Sequence, residues 1–217
     1  MCYSVYFAGL WSDVVSYSLS TMTVYDLMTQ QHRTAAYKAK MLHAVPDAPV
    51  MDRVEYILQL CAGKIVMDIG CTGELHLGIE RAARKVYGMD IVNCPDIEYF
   101  YQVDIDHINS CDFPAPSDVE LVIAGEVIEH LSNAGHFLDL LRAYNCDVVI
   151  TTPNAFSEAG RYSLLKSRIE NVNVEHVAWY SWHTLKVLVE RHGFKIIEWL
   201  WYNGKPLTAE GLIFRIR

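Results

Sequence analysis

The chain has 217 residues, 52% of them hydrophobic and 12% aromatic, which is enough to bury one full core with little left over. Its formal net charge of −8 offers no basic stripe for neutralising phosphates, so a nucleic acid is a disfavoured partner. The six cysteines (Cys2, Cys61, Cys71, Cys94, Cys111, Cys146) show no CxxC pairing and read as buried thiols in a reducing compartment.

The first twenty residues are apolar and aromatic but lack a basic start and are broken by Ser12 and Asp13. Neither a signal peptide nor a membrane span is supported, and a cytoplasmic location is expected. Residues 23–42 and 48–63 carry apolar side chains at helical spacing. Residues 1–47 are read as an N-terminal helical extension or cap, placed either over the carboxyl edge of a sheet or along its flank. Residues 48–217 are read as one catalytic-type domain.

From Lys64 onward, short β-branched runs alternate with amphipathic runs, the pattern of βαβ units around a parallel sheet. Strands are predicted at 64–69, 85–91, 98–104, 119–124, 147–152, 194–201 and 211–217. Helices are predicted over 73–85, 126–144 and 181–193, the last opening at Ser181 as N-cap and closing at Gly193. The linker YNGKPLTAE (202–210) is too short for a helical crossover, so the last two strands should form an antiparallel hairpin at the sheet edge. The expected fold is therefore α/β and Rossmann-like: a seven-stranded, mostly parallel sheet with helices on both faces.

The sharpest local feature is IVMDIGCTGELHLG (65–78), a buried strand running into a glycine-bearing loop and then a helix. Such a turn lets the backbone approach a nucleotide-like ligand at the strands' carboxyl ends, and Asp90, ending the next strand, suits a ribose diol. Asp68 beside the loop would repel a pyrophosphate, whereas a ligand with ammonium and sulfonium groups is attracted, so a nicotinamide cofactor is disfavoured.

Taken in order, DIGCTG (68–73), MDIV (89–92), VDID (103–106), GEVIEHL (125–131), TTPN (151–154) and HGF (192–194) resemble the class I S-adenosylmethionine-dependent methyltransferases over about residues 50–217. Within them the chain looks closest to the EVxEHL branch, which includes ubiquinone-type O-methyltransferases and sugar or small-molecule methyltransferases. The resemblance implies S-adenosylmethionine as cofactor, with Asp68, Gly70, Cys71 and Gly73 around its methionine half and Glu126 near the amino end. It also implies Asp90 on the ribose, Ile91 against the adenine, Asp104 on the adenine amino group with the Ile105 amide on the ring, and Asp106 as the fallback. The family's loop usually reads DxGxGxG, and here Thr72 and Glu74 replace its second and third glycines. That departure leaves room for a scaffold protein that kept the fold and lost catalysis.

Methyl transfer from a sulfonium needs alignment, exclusion of water and removal of one proton. The candidates are Glu126, Glu129 and His130, expected on one helix face, and His176 in NVEHVAWYS. In one reading His130 or His176 is the general base, with Glu129 beside it. In another, Glu126, Glu129, His130 and His176 ligate a divalent metal; methyltransferases acting on the terminal 2′-hydroxyl of small RNAs are similar in carrying ExxEH, a later His and TPN. In a third, the acids merely suit a helix N-terminus. Asn154 either hydrogen-bonds an acceptor or forms an Asx-turn, and Tyr162, Trp179, Tyr180 and Trp182 offer a stacking wall or simply core. The expected acceptor is a hydroxyl of a small molecule or glycan precursor.

Overall fold

The computed structural model describes residues 44–71 and 73–217. The predicted helix over 23–42, and with it most of the N-terminal cap, lies outside the described residues. The elements are β1 (Val50–Met51), α1 (Arg53–Cys61), β2 (Ile65–Ile69), α2 (Glu74–Ala82), β3 (Lys85–Asp90), β4 (Phe100–Gln102), β5 (Leu121–Gly125), α3 (Ala134–Leu141), β6 (Asp147–Pro153), α4 (Glu158–Ser167), α5 (Trp182–Arg191), β7 (Ile196–Tyr202) and β8 (Gly211–Ile216). Short 3-10 turns at Ile128–His130 and Arg142–Tyr144 flank α3. No helix among the described residues is long and apolar enough to cross a membrane.

One eight-stranded sheet runs in the order β1-β7-β8-β6-β5-β2-β3-β4. β8 pairs antiparallel with both neighbours, and every other pairing is parallel. All seven predicted strands are present. The hairpin is antiparallel as expected, but it does not form the edge: β8 inserts between β6 and β7, and β1 covers β7 through Val50↔Trp201 and Met51↔Tyr202.

Successive strand residues point to opposite faces, so the sheet builds two cores. Met67, Met89, Val122, Ala124, Val148, Ile150 and Phe214 meet Phe137 and Leu141 of α3 and Leu185 and Val189 of α5 on one side. Val66, Leu121, Ile123, Val149 and Ile213 meet Tyr56 and Ile57 of α1 and Ile79 of α2 on the other. Near-continuous burial of β5 and β6 is what two covered faces require of parallel strands, and it explains why their sequences read as unbroken apolar runs.

The helix expected over 126–144 is divided. Glu126 takes a left-handed backbone (φ 57°), Val127 to His130 form a single 3-10 turn, and α3 begins only after Asn133, whose side chain accepts from the His136 amide. Glu126, Glu129 and His130 therefore do not share an α-helical face, and their proximity has another origin. α5 fulfils its prediction, with Ser181 and Thr184 forming a reciprocal cap and Gly193 at φ +81° just beyond its end.

Candidate functional site

The glycine loop leaves β2 at Ile69 and enters α2 at Glu74. Gly70 sits at φ +76°, and a Cβ there would meet Val127 Cγ2 at 2.6 Å, so both backbone conformation and space demand glycine. Gly73 takes φ +83°, a conformation that favours glycine, and a Cβ there would meet nothing within 4 Å. Glu74 is the exposed first residue of α2 and faces the cleft beside the loop. A cleft of about 420 Å³ opens beside the loop, lined by Cys71, Gly73, Glu74, His76, Leu77, Cys94 and Ile97.

Asp68 lies beneath this loop rather than in it. It is 3% exposed and accepts a 2.8 Å hydrogen bond from His76 Nδ1, whose Nε2 is 3.5 Å from Glu80. Burial raises the Asp68 pKa, and the Asp68 hydrogen bond raises that of His76, so the two hold one proton between strand and helix. His76 was not singled out in the sequence; the signal was a carboxylate on a buried strand, which needs a partner on the next element.

At the end of β3, Asp90 Oδ1 accepts from the Val92 amide, and Ile91 beside it is 60% exposed. Asp104 bonds the Asp106 amide and the His107 ring. Asp106 instead takes the Ser132 and Asn133 amides; burial alone would raise its pKa, but these bonds outweigh it and hold the carboxyl below its usual range. It thereby fixes the turn that follows Glu129 and His130. Ile105 is buried in the core.

The carboxyl ends of β5 and β6 bring a second group together. One ligand atom each from Glu129, His130 and His176 lies within 4.8 Å of the others. The two imidazoles meet edge to face with centroids 4.6 Å apart. What assembles them is the backbone: the Glu129 carbonyl accepts from the Val177 and Ala178 amides at 2.9 and 3.2 Å, docking the His176 segment onto the 3-10 turn. Glu129 is 1% exposed, and among the described residues neither of its carboxylate oxygens has a hydrogen-bond partner within bonding geometry, the Thr152 hydroxyl being the nearest influence; His176 Nδ1 is likewise buried without one among them. Burial, reinforced by the charge of Glu126, pushes the Glu129 carboxyl up to about 8. Burial, followed by the neighbouring His130, lowers the His176 pKa, keeping that ring a neutral nitrogen donor. A buried carboxylate facing two imidazoles, with its lone pairs unspent, fits a divalent cation's coordination demands.

Glu126 is engaged differently. Its Oε1 accepts from Thr151 Oγ1 and Tyr202 Oη, both at 2.9 Å, and lies 3.3 Å from Arg53 Nη1. A non-glycine residue at φ 57° persists only where its surroundings overdetermine it, and these three donors do so. Asn154 is buried and saturated: its amide donates to the Leu207 and Ala209 carbonyls and its oxygen accepts from Phe156, which makes it the Asx-turn of the two readings. The aromatics disperse, since Trp182 packs on Trp199 in the core and Tyr180 is buried, whereas Tyr162 is 64% exposed.

A family model described as a methyltransferase domain matches residues 41–198. No curated protein matches the chain in sequence. Among solved structures, the small RNA methyltransferase HEN1 superposes with a TM-score of 0.59 at 18% identity, over 81% of this chain and 27% of that one, so the chain spans little more than a quarter of its length. An S-adenosylmethionine-dependent methyltransferase from Archaeoglobus fulgidus gives 0.56 at 16% identity, covering 89% of this chain and 99% of its own. The 1,6-didemethyltoxoflavin-N1-methyltransferase of Burkholderia thailandensis, bound to its substrate and S-adenosylhomocysteine, gives 0.55 at 12%, covering 96% and 97%. At these identities the likeness is one of fold, and the fold serves different acceptors.

Proposed function

The chain belongs to the methyltransferase-domain family and uses S-adenosylmethionine; from that premise we propose that it methylates a hydroxyl of a small polyol or glycan precursor, beside a divalent cation held by Glu129, His130 and His176. The observation that carries this reading is the buried Glu129 carboxylate, both oxygens without a partner among the described residues, within reach of two imidazoles. A cation bound there supplies Lewis-acid polarisation, lowering the pKa of a hydroxyl it ligates. The protein's own part is positional. The Glu129 carbonyl fixes the His176 segment that carries the second imidazole, and the hydroxyl so acidified gives its proton to solvent.

On the cofactor side, Gly70, Cys71 and Gly73 read as the cradle for the methionine half, with Asp68 and His76 securing the loop from beneath. Asp90, with one oxygen free of donors among the described residues, reads as the ribose acceptor, Ile91 as the adenine contact and Asp104 with the Ile105 amide as the adenine's polar contacts. Glu126 reads as the support of the methionine amino end, and the open glycine loop argues for a binding-competent rather than degenerate domain. Within the family we assign the chain to the EVxEHL branch, with residues 48–217 as the catalytic domain.

A second reading, methylation of a terminal RNA ribose, is favoured by the ExxEH and His176 grouping but opposed by the net charge of −8. The test is a Mn²⁺ titration followed by electron paramagnetic resonance in the presence of S-adenosylhomocysteine. One ion per chain, lost in His130→Ala and His176→Ala, is expected; no ion bound, or binding untouched by both substitutions, would remove the metal from the proposal. Transfer to neutral glycosides but not to a short RNA then separates the two acceptor readings.

A further inference from the structure

A second cleft opens at the carboxyl edge on the α1 side of the sheet, about 320 Å³ in volume and lined by Arg53, Glu126, Pro153, Tyr202, Asn203 and Glu210. It shares Glu126 with the site above. Its other polar groups come from elements remote in sequence: Arg53 from the first turn of α1, Tyr202 from the end of β7, and Asn203 and Glu210 from the β7–β8 connection.

Its chemistry is an alternation of donors and acceptors. Arg53 Nη1 serves Glu126 Oε1 and, at 3.4 Å, Thr151, while the remaining guanidinium N–H groups have no acceptor among the described residues. Glu210 Oε2 accepts from Asn203 Nδ2 at 3.1 Å, and among the described residues neither its second oxygen nor Glu126 Oε2 has a donor. One guanidinium stands against two carboxylates, so the lining carries net negative charge and opposes a phosphate or carboxylate. Hydroxyl groups, which donate and accept at once, match both halves of such a lining.

We propose that this cleft is the acceptor subsite and that it recognises a neutral polyol, a sugar ring bearing adjacent hydroxyls, through Arg53 and Glu210. The assignment rests on the sugar-hydroxyl reading above and narrows it, since Glu126 is paired with Arg53 while the Glu210 carboxylate has no cation beside it among the described residues and turns away a phosphate-bearing acceptor. Asn154 holds the cleft's outer wall in place: its backbone amide donates to the Glu210 carbonyl at 2.8 Å, and its side chain ties down Leu207 and Ala209.

The test uses the full chain saturated with S-adenosylhomocysteine, with EDTA present so that no metal contributes. Saturation-transfer NMR and calorimetry would measure binding of methyl β-ribofuranoside and methyl hexopyranosides against the corresponding sugar phosphates. A neutral glycoside is expected to bind more tightly than its phosphate ester, and Arg53→Gln and Glu210→Gln are each expected to weaken it about tenfold, the worth of one charge-assisted hydrogen bond. Glu210 is exposed, so its substitution does not threaten the fold and should leave S-adenosylhomocysteine affinity unchanged. No glycoside binding, tighter binding of the phosphates, or affinities unmoved by both substitutions would overturn the assignment. Glycoside binding that persists here while the Mn²⁺ titration finds no ion would sink the metal reading and leave the subsite standing.

Discussion

Glu129→Gln is expected to reduce methyl transfer by at least about 100-fold, the upper range seen when mere outer-shell partners of a metal are altered. Glutamine keeps the shape of the side chain but replaces an anionic ligand with a neutral amide. The backbone carbonyl of residue 129, which holds the His176 segment, is untouched, so the variant still presents both imidazoles. Stability should change little: burial pushes the Glu129 carboxyl up to about 8, so in the metal-free protein at pH 7 it is already mostly neutral, as glutamine is. A loss of turnover with an unfolding temperature equal to or above that of the parent, measured with and without Mn²⁺, would separate a lost ligand from a damaged fold. A parent and variant of equal activity would show that the carboxylate takes no part.

His76→Ala is expected to destabilise the protein by about 3–5 kcal/mol, because it strands a buried carboxylate under the glycine loop. Removing both members together, as Asp68→Val with His76→Leu, should recover part of that loss, since well-packed apolar groups replace an ion pair at little cost. The deficit also carries a pH signature. The Asp68 hydrogen bond raises the His76 pKa on folding, so this contribution is complete below the unfolded value of about 6.5 and fades as pH rises through the higher folded one. Urea denaturation at pH 6 and pH 9 should therefore show the larger deficit at pH 6. A deficit that grows with pH would mean that the pair does not hold a proton in this way.

Most of the sheet was legible because parallel strands covered on both faces must be unbroken apolar runs, as in LVIAG and DVVITTP. The turn chemistry of α5 was legible for the same local reason: Ser181 and Gly193 act on their immediate neighbours. What escaped was set at a distance. β1 is two residues long and exists only because Val50 and Met51 find an open edge on β7. α4 buries none of its residues and so has no apolar stripe to announce it.

The candidate site was half legible. Glu129, His130 and His176 were recognisable by residue type and order, but the helix face expected to unite the first two does not exist. Glu126 is twisted to φ 57° by donors from Thr151 and Tyr202, far along the chain, and periodicity cannot anticipate such a turn. Arg53 and Tyr202 carry no local mark of a site at all. They become part of one only when α1 and β7 bring them to Glu126.

The proposed cation at Glu129, His130 and His176 makes methyl transfer depend on a divalent metal, which is read by following a labelled methyl group from S-adenosylmethionine to a neutral glycoside panel before chelation, after EDTA, and after Mn²⁺ is restored. Transfer that EDTA abolishes and Mn²⁺ recovers, in the parent but not in His176→Ala, is expected; transfer indifferent to EDTA would rule the cation out.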